Sequence, residues 1–286
     1  MRGSAVNELI SLIVSTYDRP DALGACLRSL RAQHDRNFEI VVADDRSGPA
    51  TLDVIKVWAA EASVPVAHVW QQDRGFRLAE IRNRAIAESS GAYLVFLDGD
   101  CIARPDFVTA HRALAEPGHF VGGNRVLLSQ ALTEDILQNG REAEMWGMAA
   151  WAMLRARGEV NRLLPLLSLP LGPLRTRLAT EWEGVRGGNF AFWRSDLERV
   201  DGFETSFVGW GLEDSDIVIR MIRAGVKRKD GRFATGVLHL WHRQADRAQL
   251  AAHRAQLDEL IKSDRMRALR GLSALAEDRD PLAVGQ

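Results

Sequence analysis

The sequence predicts an α/β fold, with a Rossmann-like, mostly parallel central sheet, helices on both faces and further helices at the C-terminus. Three observations carry this. Short, continuous apolar runs rich in β-branched residues alternate with longer helix-like segments over residues 1–115. Polar turns separate the two kinds of segment, as in βαβ units. Several of the apolar runs end directly in hydroxyl or acidic residues, at the sheet edge where open parallel sheets bind ligands.

Leu9 to Thr16 (LISLIVST) reads as a strand buried on both faces. Tyr17-Asp18-Arg19-Pro20 is loop, and Asp18 or Asp21 stands where it would cap a helix over Ala22 to Gln33. Glu39 to Ala43 (EIVVA) is a second strand, running into the polar turn Asp44-Asp45-Arg46-Ser47-Gly48. A helix near Thr51 to Glu61 and a strand near Val66 to Gln71 follow. Leu78 to Ser89 is helical by pattern, and Tyr93 to Leu97 (YLVFL) is a fourth strand that opens on Asp98-Gly99-Asp100.

The middle of the chain differs. Glu142 to Thr180 is apolar and basic, with Arg155, Arg157, Arg162, Arg175 and Arg177 against few acids. Pro165, Pro170 and Pro173 break any long helix there. The stretch reads either as an insertion packed on the core or as a surface that docks anionic lipid. Glycines and polar aromatics return from Glu183 to His242. Leu250, Leu257, Leu260, Leu269 and Leu272 then predict one or two amphipathic helices, able to cover the protein's own core or to pair with a second copy.

Composition narrows the function. With 286 residues, 46% of them hydrophobic, the chain can bury a large core, and 26% charged residues argues against wholesale disorder. A net charge of -1 lacks the excess of Lys and Arg that a general nucleic-acid binder needs. Cys26 and Cys101 have neither metal-site spacing nor enough company for a disulfide framework, which points to a reducing compartment. The opening MRGSAVNEL has no apolar leader core, and no apolar run reaches the roughly 20 residues of a membrane span. The expected location is cytoplasmic, free or resting on the inner face of the membrane.

Five clusters carry chemistry. In Asp98-Gly99-Asp100 two carboxylates can face one hard cation, Mg2+ or Mn2+, that keeps positions open for phosphate oxygens; the bland alternative is a solvated turn. Asp44-Asp45 can accept hydrogen bonds from a ribose hydroxyl or a base N–H, or can merely cap a helix. Arg77, after Gly75-Phe76, presents a planar donor fork to a diphosphate or pyrimidine. Arg82 and Asn83 follow on the next helix as part of the same cluster, the bland alternative for Arg82 being a surface ion pair.

The fourth cluster is Gly209-Trp210-Gly211-Leu212-Glu213-Asp214-Ser215-Asp216. Its indole can stack on a pyranose, and its acids open the apolar helix IVIRMIRAG, whose dipole favours the ionised form a general base needs. Capping by Asp214 or Asp216 would explain one acid but not the string. Last, His239-Leu240-Trp241-His242 follows the strand-like Gly236 to Leu238 and offers a neutral imidazole as a further metal ligand.

Taken in order, LIVSTYDRP, EIVVADDRS, QQDRGFRLAEIRNRAI, YLVFLDGDC, RGGNFAFWR and GWGLEDSD resemble the family-2 glycosyltransferases of GT-A fold. The C-terminal half is similar to the β-1,4-galactosyltransferases and chondroitin-polymerase-type enzymes, and the likeness spans about residues 8–243. The resemblance implies that Ser15, Tyr17 and Asp45 hold the nucleoside. Arg19, Asn83, Asp98 and Gly99 line the same nucleotide-sugar site, with Arg77 near base and diphosphate. Asp98 and Asp100 form the D-x-D pair, Asp100 being the direct ligand. His242 matches the histidine of the family's Met-x-x-His pair, and His239 stands in place of the Met. Asp214 matches the catalytic base, while Glu213, with Trp210 and Gly211, holds the acceptor; Leu212 replaces a usual glycine.

The same resemblance implies an inverting displacement that uses Mn2+ or Mg2+ and a UDP-sugar donor, while the basic apolar insertion points to a surface-glycan or lipid-linked acceptor. It implies one domain over residues 1–243, with a nucleotide-binding half (1–115) and an acceptor and catalytic half (116–243) holding the insertion at about 142–180. A helical tail over 244–286 completes the chain. Two other classes fit less well. A sugar-nucleotide nucleotidyltransferase needs a Gly-rich triphosphate loop where this chain has Tyr17-Asp18-Arg19-Pro20. A non-catalytic glycan-binding module would keep costly carboxylates at a buried edge without using them.

Overall fold

The computed structural model describes residues 7–276. Most of the opening stretch MRGSAVNEL and the end of the expected tail therefore lie outside the described residues. Strands β1 (Ile10–Thr16), β2 (Phe38–Asp44), β3 (Val66–Trp70) and β4 (Tyr93–Asp98) alternate with helices α1 (Pro20–Arg31), α2 (Pro49–Glu61) and α3 (Leu78–Glu88). Next come β5 (Cys101–Ala103), α4 (Phe107–Leu114), β6 (His119–Gly122), β7 (Arg125–Leu127), α5 (Gln130–Gln138) and α6 (Met148–Ala156). The chain continues through β8 (Asn189–Trp193), α7 (Arg194–Arg199), α8 (Glu213–Arg223), β9 (Lys227–Asp230), β10 (Val237–His239) and α9 (Leu250–Lys262).

The main sheet has the order β3-β2-β1-β4-β8-β6-β9. Its first four strands are parallel, and β8 runs antiparallel to both β4 and β6. The chain winds outward in one direction from β1 to β3, then returns to place β4 on the other side of β1. This change of direction opens a crevice at the carboxyl ends of β1 and β4. A smaller sheet, β5-β10-β7, lies beyond it.

Every residue of β1 is buried because helices cover both faces. Leu12 and Val14 pack with Leu23 and Leu27 of α1 on one side, while Ile13 packs with Ala79 and Ile81 of α3 on the other. This two-sided burial is why the strand is apolar throughout and does not alternate. The first four strands fall where the sequence predicts them, but α1 and α2 begin about two residues early, each with a proline in its first turn. Proline suits that place, since its missing N–H would have no partner within the helix. Neither Asp18 nor Asp21 caps α1 through its side chain; Asp18 Oδ1 instead accepts the Gly48 N–H at 2.9 Å, at the head of α2.

The basic apolar stretch packs on the small sheet. Trp151, Val160 and Leu166 join Val126, Leu128, Leu238 and Leu240 in one core cluster. Apart from α6 it forms short 3-10 turns at Leu164–Leu166 and Gly172–Thr176, as its prolines require. Its outer side leaves Met145, Met153, Leu164 and Leu174 exposed, among the exposed Arg155, Arg157, Arg162 and Arg177. Among the described residues no helix is long and apolar enough to cross a membrane. At the C-terminal end α9 covers α8 through Ile219, Leu257 and Leu260, while Leu269 remains exposed.

Helix α8 is fastened from inside. Asp216 accepts from Arg220 one turn on, both side chains wholly buried, and Arg220 also donates to the carbonyls of Val200 and Gly202 at 2.7 and 2.9 Å. Asp216 is thus an internal partner and not a cap. Removing one member of such a pair strands the other charge. Arg220→Ala should therefore lower stability by roughly 3–5 kcal/mol, read by urea unfolding; a loss under about 1 kcal/mol would show the carboxylate to be satisfied elsewhere.

Candidate active site

Strand register assembles the site. Ser15 of β1 lies beside Asp98 of β4, and Thr16 beside Asp44 of β2. Antiparallel pairing then brings the end of β4 against the entry to β8, where Asp98 N–H donates to Gly188 O at 3.3 Å. The approach is so close that a Cβ on Gly188 would lie 2.3 Å from Asp98 Oδ2, so only glycine fits. The adjacent Gly187 donates its N–H to Asp214 Oδ2 at 2.9 Å. Two neighbouring glycines thus hold the first D-x-D acid and the acid of the α8 string side by side.

Arg82 ties these groups together. It is 1% exposed. It donates to Asp98 Oδ1 (3.1 Å), Glu213 Oε1 (3.3 Å), Gly187 O (2.9 Å) and Ser15 Oγ (3.3 Å). Phe190 and Phe203 flank its guanidinium at 5.6 and 5.4 Å. The bland alternative for this residue, a surface ion pair, is therefore set aside, because its ion pairs are buried. Its signal lay in helical spacing: Leu78, Arg82, Ala85 and Ile86 share one stripe of α3.

Asp100 sits in the turn after β4, facing two imidazoles. His239 Nε2 lies 3.6 Å from its Oδ1, His242 Nε2 lies 3.5 Å from its Oδ2, and the rings are 5.3 Å apart. Burial pushes the His239 pKa below the ordinary value, against the pull of Asp100, so the ring is neutral and keeps a lone pair. One carboxylate and two imidazoles form a donor set suited to a divalent transition cation. Cys101, directly opposite His239 in the β5–β10 pairing, also brings its Sγ within 4.8 Å of the Asp100 and His239 ligand atoms. Spacing along the chain gave no hint of this, because strand pairing makes the contact. Burial holds the Cys101 thiol well above its usual pKa. Asp98 is engaged by Arg82, and is not among the described groups whose ligand atoms converge.

Just beyond the end of β2, Asp45 is buried and doubly held. Its Oδ1 accepts from Gln71 Nε2 and its Oδ2 from the Arg77 N–H, both at 2.7 Å; burial raises its pKa, and these bonds oppose the rise. Asp44 accepts from the Ser47 N–H and meets His68, so neither acid caps α2, whose N-cap is Gly48. Tyr17 is half exposed, and its hydroxyl accepts from Arg46, which stacks over the ring at 5.0 Å and pairs with Asp73. Arg46, passed over in the sequence as part of a polar turn, thus ties Tyr17 to Asp73. Arg77 donates to Arg74 O and pairs with Glu80, Arg19 pairs with Asp21, and both stay near the rim. Asn83 is placed otherwise: it is wholly buried, its amide spent on both backbone groups of Phe203 at 2.8 Å.

On the opposite side, Gly209, Gly211 and Leu212 all take positive φ (+100°, +102° and +76°), which swings Trp210 outward and starts α8 abruptly. Trp210 is 38% exposed and carries Arg247 over one ring face at 4.8 Å. Glu213, 8% exposed, has its pKa pushed up to about 7, by burial first and then by the charge of Asp214, with Arg82 pulling the other way.

Residues 11–175 match the profile of Glycosyl transferase family 2, and residues 175–243 that of the N-terminal domain of galactosyltransferase. Validoxylamine A glucosyltransferase of Streptomyces hygroscopicus subsp. jinggangensis is 26% identical over 268 residues, covering 89% of this chain and 60% of that protein. Chondroitin synthase of Escherichia coli is 24% identical over 239 residues, covering 76% of this chain and 32% of that protein. The chain thus spans well under two thirds of either relative. Among solved structures, the mannosyltransferase PcManGT from Pyrobaculum calidifontis, in complex with GDP-Man and Mn2+, matches with a TM-score of 0.57 at 21% identity, over 90% of this chain and 65% of that one. S. aureus TarS 1-349 matches with a TM-score of 0.58 at 15% identity, over 93% and 67%. These likenesses share the GT-A fold, and with more than half of its length inside the first profile the chain belongs to Glycosyl transferase family 2.

Proposed function

We propose that this protein moves a sugar from a nucleotide-diphosphate donor, a UDP-sugar, to a hydroxyl of a glycan or lipid-linked acceptor in surface polysaccharide synthesis, by a metal-dependent inverting displacement. The observation that carries the reading is the Arg82 bridge. It holds Asp98, next to the Asp100–His239–His242 group, against Glu213, next to Asp214. A donor's diphosphate and an acceptor's hydroxyl can then meet within one crevice. The exposed apolar and basic side of the insertion supports a lipid-linked acceptor.

Ser15, Tyr17 and Asp45 take the nucleoside, with Arg46 and Arg77 at its edges. Asp100, His239 and His242 hold the cation, and two nitrogen donors favour Mn2+ over Mg2+. A divalent ion bound there supplies Lewis-acid stabilisation to the departing diphosphate. Asp214, oriented by the Gly187 N–H, takes the proton from the acceptor hydroxyl. The freed oxygen attacks the anomeric carbon from the face opposite the phosphate, and no covalent enzyme intermediate forms. Glu213 and the open face of Trp210 position the acceptor.

Three measurements test this. Asp214→Asn should keep donor affinity while transfer falls roughly 100-fold or more, as read by calorimetry and by released UDP; near-normal turnover removes Asp214 from the role. Chelation should stop release of UDP from a UDP-sugar and Mn2+ should restore it, whereas His239→Ala should need far more Mn2+ for the same rate. Indifference of the wild type to chelator would overturn the metal assignment.

The third test concerns pH. A carboxyl that titrates near 7 when folded, against 4.5 as its ordinary value, binds its proton more tightly in the native state. Glu213 therefore withdraws stability as pH rises through that interval. Glu213→Gln should gain stability relative to wild type by roughly 1–3 kcal/mol between about pH 5 and pH 8, as read by urea unfolding at both. A difference independent of pH would mean that Arg82 keeps Glu213 ionised throughout.

A further inference from the structure

Beside Gly188 lies a solvent-open cleft of about 330 Å3, with Arg125, Arg162 and Arg186 on its wall and no acid among its lining residues. Arg162 donates from Nε and Nη2 to the Arg125 carbonyl at 3.1 and 2.8 Å, which sets the two arginines next to each other. The side chains of Arg125 and Arg186 make no hydrogen bond or ion pair among the described residues. Asn161, on the same wall, accepts the Leu127 N–H at 2.9 Å through Oδ1, and its NH2 has no partner among the described residues. Gly188 on its wall packs directly against the Asp98 carboxylate, so the cleft adjoins the transfer centre and is not on a remote face.

Like charges gathered in one concavity repel, and the repulsion is relieved when an anion enters. Guanidinium forks and an amide NH2 are also the donors that carboxylate and phosphate oxygens accept best. On the functional reading above, on which this inference rests, the donor diphosphate is already met at the Asp100–His239–His242 group. We propose that the cleft binds a second anionic group, a carboxylate or phosphate borne by the transferred sugar or by the acceptor. Its volume suits one acidic sugar ring. The substrate pair of this transferase is therefore acidic next to the bond being made.

Calorimetry separates the two sources. Wild type and the single variants Arg125→Gln, Arg162→Gln and Arg186→Gln are titrated, with Mn2+ present, with UDP, UDP-glucose and UDP-glucuronate. The UDP complexes are then titrated with glucuronate, glucose 6-phosphate and glucose. UDP should bind every protein alike, since Arg162 and Arg186 are exposed and their loss spares the fold. An acidic ligand should bind wild type roughly tenfold or more tightly than its neutral counterpart, and the variants should erase that preference. A preference for UDP-glucuronate assigns the anion to the donor; one confined to free glucuronate or glucose 6-phosphate assigns it to the acceptor. Loss of UDP affinity itself in the variants would make the cleft a diphosphate clamp and overturn the inference alone, as would a wild type blind to acidity in both arms. A wild type that binds neither UDP nor either UDP-sugar would overturn the functional reading, and this inference with it.

Discussion

One buried cation sets the distances on which the molecule's chemistry rests. Taking a guanidinium out of water costs several kcal/mol unless its donors are met, and Arg82 meets them from four directions: β1, β4, the approach to β8 and the head of α8. The sheet alone would align Ser15 with Asp98. It would not bring Glu213 to them, because two carboxylates left to themselves in a poorly solvated crevice repel. With Arg82 between them the repulsion becomes attraction, and the flanking rings of Phe190 and Phe203 keep water from loosening the arrangement.

The two sheets divide the remaining work. The larger one ends in hydroxyl and carboxylate groups along its parallel edge, and it also fixes Asp45 against Gln71 and the start of α3. The smaller one delivers nitrogen: pairing of β10 with β5 lays His239 across from Cys101, one residue beyond Asp100. Much of the basic insertion serves as the far wall of that small sheet, so a stretch that resembles surface decoration supports the imidazoles from behind.

What could be read from the sequence followed from locality. Strands buried on both faces are unbroken apolar runs, so β1, β2 and β4 were visible, with the hydroxyls that end the first and the acids that end the other two. The abrupt acid-led start of α8 was visible too. Helix starts at Pro20 and Pro49 were misplaced because the apolar period begins only after the proline turn. The bridging role of Arg82 was hidden because its carboxylate partners stand 16 and 131 positions away, and no local pattern carries that information. Asn83 looked like a ligand contact for the same reason: polarity shows in the sequence, whereas an amide closed on both backbone groups of Phe203 shows only after folding. Cys101 and Arg125 acquire meaning solely through strand pairing.

Leu212 holds a left-handed backbone that costs a branched side chain about 1–2 kcal/mol, and in return it lies among Ile219, Leu257 and Leu260, where α9 covers α8. The first acid of the pair therefore takes its position partly from a helix outside the crevice. Repacking those leucines would therefore shift the head of α8, and Glu213 with it, without altering a single residue that lines the crevice.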